Sequence, residues 1–330
     1  MLDTRPPTAQ DLLERLAEKA RADFLPRALR DENSTHIQLD TLQDLHELGL
    51  LHVSASPENG GLGGSLLGRE NPGLFVQALR RLARGDAAAA HCYQLHNHAL
   101  WMLETMGTPR QIETILRPLT SRFGLLGFVG SEPGRASNKD PLQTRARKVE
   151  GGWRVNGVKS FVTNGTAADL ILTSVAVETP APGTSPADQH LSLMIDPSSE
   201  GVSIDNGWYR PNGMKTARSP LITLSEVFVP DSHLVGERPG VMPRGRWFAK
   251  FHLGFAANYI GSAEGLFAWY LDYTRARGRA GQPLVQLRTG EMRLALDAAI
   301  AHFEHAVALW QQGDTVEAEL ASMSAMSVVR

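Results

Sequence analysis

With 330 residues, 42% hydrophobic and 21% charged, and a formal net charge of −2, the chain has the composition of a soluble globular protein with apolar content for two or three domains. The near-neutral balance excludes a nucleic-acid surface built on clustered basic excess, and the single cysteine, Cys92, excludes disulfides within the chain and cysteine-based zinc sites. No segment has the apolar length of a membrane span and the opening MLDTRPPTAQ has no apolar core, so a cytoplasmic protein without membrane partners is expected.

Residues 1–122 read as a helical domain. Thr8 and Asp11 form a capping pattern before the apolar stripe Leu12, Leu13, Leu16 and Ala20. The short helix LQDLHELG then runs into a glycine-rich loop, ASPENGGLGGS. Pro72 is positioned to start a helix with Leu74, Phe75, Ala78, Leu79 and Leu82 on one face. The mostly apolar run from Asp86 to Met106 predicts a long buried helix, and Thr108-Pro109 caps one more.

Residues 123–240 change to short strands. TRARKVEGGWRVNG reads as a hairpin joined at Gly151-Gly152. ADLILTSVAV, HLSLMID and SPLITLSEVFVP are further strands, and ETPAPGTSPADQ is a surface loop.

Residues 241–330 return to helical periodicity. Two long helices, FAKFHLGFAANYIGSAEGLFAWYLDYTRAR and LRTGEMRLALDAAIAHFEHAVALWQQG, precede a third that begins with VEAELASM after Gly313-Asp314. No internal repeat is present.

One set of motifs has a specific order. It runs Ser131-Glu132-Pro133-Gly134-Arg135-Ala136-Ser137-Asn138, then Thr144, then Asn156-Gly157-Val158-Lys159, then Phe161-Val162-Thr163-Asn164-Gly165. This order resembles the middle domain of the acyl-CoA dehydrogenase family, a flavoprotein fold shared with flavin monooxygenases of the dibenzothiophene type. The flanks HELGLLHVSASPENGGLGG, MGTPRQ and NGMKTARSPLITLSEVFVPDSHLVG are similar to family elements, so the resemblance covers nearly the whole chain. It implies an α+β multidomain fold: a helical N-terminal domain, a β-barrel-like middle domain and a C-terminal helix bundle, here truncated before its last helices.

The resemblance also implies a bound FAD, with FMN as an alternative. A flavin ring has a polar edge and apolar faces. Phe128, Gly130 and Ser131 at one strand end, and Phe161, Val162 and Thr163 at another, are the implied cofactor-binding walls. Ser137 is implied to lie near the substrate or its pantetheine arm. Arg277 corresponds to the arginine that meets the flavin nucleotide's pyrophosphate from a neighbouring subunit, which implies a homo-oligomer, dimer or tetramer. The family's Arg-x-x-Phe-Gly-x-Pro pattern is thinned here, with Ala280 for the phenylalanine and Arg288 for a later glutamine.

Family members desaturate an acyl-CoA by removing an α-proton with a carboxylate while a β-hydride moves to the flavin. Counting back from Arg277, the first family position for that carboxylate holds Phe251, followed by His252; the second belongs to the family's last helices, before which this chain is expected to end, so neither position supplies the glutamate. Glu264 lies several turns away. Weak candidates for the catalytic role are His96 and His252. His91, His96 and His98 lie on the buried helix, but His96 and His98 face different sides of it and form no metal pair. Three functions stay open: an acyl-CoA dehydrogenase, a flavin monooxygenase that needs no α-proton base, and a non-catalytic subunit of a larger assembly.

Overall fold

The computed structural model describes residues 7–135 and 140–329, so Ser137 lies outside the described residues. The capping pair at the start is formed: the Thr8 hydroxyl accepts from the Asp11 amide, and the Asp11 carboxylate accepts from the Thr8 amide, opening α1 (Ala9–Lys19). A π turn, Ala20–Phe24, leads into α2 (Leu25–Arg30), and α3 (Leu39–Glu47) follows. Helix α4 (Leu74–Ala83) starts after an N-cap at Gly73 rather than at Pro72, because the chain takes a left-handed turn there, φ 81°. Helix α5 (Ala87–Met106) is capped by the Asp86 carboxylate and buried along almost its whole length. Thr108 and Gln111 close a second capping box on α6 (Pro109–Gln111), and a π turn leads to α7 (Arg117–Thr120).

The central part forms one seven-stranded sheet from β1 (Leu126–Val129), β2 (Arg145–Val149), β3 (Gly152–Lys159), β4 (Leu170–Val177), β5 (His190–Ile195), β6 (Val202–Asp205) and β7 (Leu221–Pro230). Its order is β1-β4-β2-β3-β7-β6, with β5 antiparallel to β4. The β2–β3 hairpin turns at Glu150-Gly151. Gly151 has φ 72°, the left-handed geometry that such a turn needs, whereas Gly152 already pairs with Val149 in the ladder.

Strand β4 takes β1 along Leu170–Thr173 and β2 only at Ala176 and Val177, both parallel. Ser174 falls between these two pairings, and its carbonyl accepts a hydrogen bond from the buried Lys159 ammonium. The gap from which the chain leaves β1 is thus closed by a side chain.

After β7 come α8 (Val241–Arg244), the 30-residue α9 (Trp247–Ala276), α10 (Pro283–Gln312) and α11 (Val316–Val328). Helix α9 packs against α4, α5, α10 and α11, so the first and last helical segments share one apolar core. The sheet has a separate core of residues such as Val155, Val175, Leu193 and Val227. No helix among the described residues is long and apolar enough to cross a membrane.

Candidate active site

The end of β1 is held by a buried ion pair. Glu132, 5% exposed, accepts from Lys159 Nζ at 2.7 Å and from the backbone amides of Gln143 and Thr144 at 2.6 and 2.9 Å. Burial alone would raise the Glu132 carboxyl, but the Lys159 ammonium and these donors outweigh it and hold the pKa at about 2. Glu132 therefore ties the loop that begins at Ser131 to β2 and β3. Beside it Ser131 is exposed, and its carbonyl accepts from the Ser160 amide at 3.1 Å.

The second wall is a strained turn. Phe161 and Asn164 both take positive φ, 56° and 64°. Non-glycine residues keep such angles only where their surroundings enforce them. Here the buried Asn164 amide donates to the carbonyls of Cys92 and Leu126 at 2.9 and 3.0 Å. A bridge pairs Thr163 with Phe128, which joins the two strand ends. The result leaves Phe161 55% exposed, edge-on to Trp208.

Facing these walls is one stripe of α9. Phe248, Phe251, His252, Phe255 and Tyr259, spaced i, i+3, i+4, i+7 and i+11, line a common cleft of about 380 Å³. Its remaining lining comes from His91 and Leu95 of α5, Met326 of α11, and Phe128, Val129, Gly130, Ser131, Phe161 and Thr163. Only Ser131, Thr163, His91, His252 and the Tyr259 phenol offer side-chain polar groups, and no acidic residue is among the described lining. The Thr163 hydroxyl stands 3.2 Å from His91 Nε2 and 3.1 Å from the Ser219 hydroxyl. Burial pushes His91 down to about 4, so its imidazole is neutral at pH 7.

Of the residues expected from sequence, the structure brings Phe128, Gly130, Ser131, Phe161, Thr163, Phe251 and His252 to this cleft. Three lie elsewhere. The Val162 side chain is enclosed in the sheet core. His96 faces the other side of α5, where its Nδ1 accepts from the Leu126 amide at 3.0 Å and its ring meets His52, so this weak catalytic candidate is outside the cleft. Arg277 caps the far end of α9, with its guanidinium over the Tyr273 ring. Glu264 is held by Arg80 through two hydrogen bonds of 2.8 and 2.9 Å. Sequence reasoning did not single out the His91–Thr163 contact, whose partners are 72 residues apart. The α9 stripe was visible as helical spacing, yet no sequence signal marked which face meets the sheet. No group of three or more His, Cys, Asp or Glu among the described residues could hold a metal ion.

A cleft with one polar edge, from the exposed Ser131, Gly130 and the Thr163 hydroxyl, and with aromatic walls on both sides, suits a flat ring system carrying hydrogen-bonding atoms on one edge. The donor set fits a flavin ring. Fold and site together define a flavoprotein-type scaffold in which a sheet edge faces a long helix.

Comparison with known proteins gives the family. Residues 6–122, 127–227 and 253–329 match the N-terminal, middle and C-terminal domains of acyl-CoA dehydrogenase. The chain belongs to the acyl-CoA dehydrogenase family. It is 26% identical over 317 residues to a cyclohexane-1-carbonyl-CoA dehydrogenase of Geobacter metallireducens, covering 94% of this chain and 80% of that protein. Among solved structures, butyryl-CoA dehydrogenase from Megasphaera elsdenii aligns with a TM-score of 0.85 at 21% identity, over 100% of this chain and 85% of that one. FMN-bound TdsC from Paenibacillus sp. A11-2, a dibenzothiophene monooxygenase, aligns with a TM-score of 0.80 at 23% identity, over 97% and 82%.

Proposed function

We propose that the protein is a flavin-dependent oxidoreductase of the acyl-CoA dehydrogenase type, acting on an acyl-CoA thioester with FAD, or FMN, as cofactor. The observation that carries this reading is the convergence of the Ser131 and Thr163 strand ends on the aromatic stripe of α9 around one cleft. The family match in all three parts of the chain supports an enzyme over a non-catalytic assembly subunit.

A bound flavin supplies a two-electron acceptor for hydride. The protein's own residues do the rest. Ser131 and Thr163 offer hydroxyls to the ring's polar edge, Phe128 and Phe161 flank it, and the α9 stripe excludes water from the opposite side. Arg277 lies 25 positions beyond His252, about 38 Å along the helix, so it serves no part of the same cleft. Its phosphate-binding role belongs to the cleft of a second copy, and this supports a homo-oligomer.

A second reading, a flavin monooxygenase, is favoured by one observation. Phe251 stands at the carboxylate position, and no acid lines the cleft among the described residues. Oxygen insertion requires no α-proton base. The test is the visible spectrum of the purified protein, followed by anaerobic addition of an acyl-CoA. Bleaching of bound flavin supports dehydrogenation; oxygen uptake that depends on reduced flavin supports the monooxygenase. A colourless protein that takes up no flavin overturns both.

A further inference from the structure

We propose that His252 is the proton-accepting residue of the cleft, displaced by one position along α9 from the site that Phe251 occupies. This inference rests on the acyl-CoA reading given above.

Placement is the first ground. Phe251 and His252 belong to the same cleft-facing stripe, between Phe248 one turn before and Phe255 one turn after. A one-residue shift on a helix rotates a side chain by about 100°, which usually removes it from a site. Here the cleft is wide enough along α9 to include both positions, and the half-buried His252 lines it.

The tautomer is the second ground. His252 Nδ1 lies 3.2 Å from the Ala249 carbonyl oxygen. A carbonyl can only accept, so Nδ1 carries the proton and the neutral ring keeps its lone pair on Nε2. Among the described residues no protein group donates to that nitrogen, which leaves it to a ligand. An imidazole whose inner nitrogen donates to the backbone in this way presents an unprotonated Nε2 outward.

Competitors are the third. The other cleft histidine, His91, already has its Nε2 against the Thr163 hydroxyl. His98 of α5 sits behind Phe251, 1% exposed, and does not line the cleft. Tyr259 is the remaining ionisable side chain in the lining, and no Asp, Glu, Lys or Arg is among the described lining residues. Glu264 is occupied by Arg80.

The step assigned to His252 is proton transfer alone. The α C–H bond of the thioester breaks, its electron pair delocalises into the thioester carbonyl, and the proton bonds to Nε2. Reversal in D2O returns a deuteron to the α-carbon, so the step can be followed without any net oxidation.

The experiment uses the purified flavin-containing protein with a saturated acyl-CoA in D2O, with α-deuterium incorporation read by mass spectrometry and acyl-CoA affinity by calorimetry. His252→Gln is expected to slow incorporation about 100-fold, the lower range for loss of a general base, with affinity and thermal unfolding unchanged. His252→Glu, which returns a proton acceptor to the same position, is expected to restore exchange. Unchanged exchange in His252→Gln with acyl-CoA bound overturns the assignment. Absence of acyl-CoA binding by the unaltered protein overturns the substrate reading instead. Independently of substrate, nitrogen NMR of His252 showing the proton on Nε2 overturns the tautomer on which the assignment stands.

Discussion

His98 lies ring to ring against Phe251, with centroids 4.3 Å apart and planes 18° from parallel. The Phe251 ring is therefore backed by an imidazole that has no hydrogen-bond partner on either nitrogen among the described residues. Gly254 makes the approach possible, since a Cβ there would stand 2.5 Å from His98 Nε2. Phe128 meets Phe251 edge-on at 5.3 Å, so the ring is packed on two sides.

That contact predicts the outcome of placing an acid at position 251. Burial, with smaller contributions from His91 and His252, pushes the His98 pKa down to about 3. In Phe251→Glu the new carboxylate stands beside an imidazole that lacks partners, and the two form an ion pair. The His98 pKa is expected to rise by roughly two units, read by NMR titration. The variant is also expected to unfold more easily, by about 3 kcal/mol, because it loses a buried phenyl ring. A His98 that still titrates near its original value would show that the carboxylate turns away from it.

The depressed histidines set a pH window for stability. His98 titrates at about 3 in the fold and close to 6.5 in the unfolded chain. Below pH 6.5 the unfolded chain therefore binds the extra proton, and stability falls progressively as pH drops from 6.5 toward 3. His98→Phe removes this proton uptake while keeping a ring on Phe251. Urea unfolding at pH 7 and pH 4.5 should show a smaller loss in the variant, by about 2–3 kcal/mol. Equal losses in both proteins would count against a neutral His98.

Glu132 predicts a second window with its own limits. Its carboxyl sits at about 2 against 4.5 in the unfolded chain, so its contribution is complete above pH 4.5 and disappears as pH falls toward 2. Burial lowers Lys159 to about 8 even beside Glu132, so Glu132→Gln is expected to push it lower still, to a neutral amine at pH 7, and to cost about 3 kcal/mol, the lower end for breaking a buried pair. The acid-sensitive part of the unfolding curve between pH 4.5 and 2 should shrink in the variant. Flavin affinity should fall as well, because the loop at Ser131 loses its anchor to Thr144.

The elements that local patterns dictate were legible from sequence. The Thr8–Asp11 capping pair, the Thr108 cap, the buried α5 and the β2–β3 hairpin each depend on residues within a few positions of one another. Strand β6 (Val202–Asp205) was not read: it is four residues long, mostly exposed, and forms only because β7 offers an edge. The motif order marked both strand ends of the cleft. It could not show that Glu132 is a structural clamp, since its Lys159 partner is 27 positions away. Nor could it place Val162 in the sheet core and His96 on the rear face of α5. Those outcomes depend on which way a strand or helix faces after packing, and one residue of rotation reverses them.

Thr163 tests the cleft edge directly. Its hydroxyl lies between His91 Nε2 and the Ser219 hydroxyl, in a side chain only 2% exposed. A hydroxyl has one proton to donate and accepts through its lone pairs. If His91 and Ser219 both donate, the Thr163 proton is free for a ring atom in the cleft; if His91 accepts, that proton is committed to the imidazole. Thr163→Val keeps the β-branched shape of the turn and removes the hydroxyl. With one hydrogen bond worth about 1–1.5 kcal/mol, flavin affinity is expected to fall about tenfold, measured by fluorescence quenching of added flavin. His91→Phe separates the two arrangements. Affinity should rise if His91 had taken the Thr163 proton, because the hydroxyl is then released to the flavin. It should weaken if His91 had been the donor that freed it. An unchanged affinity in Thr163→Val would place the polar edge of the flavin at Ser131 and Gly130 alone.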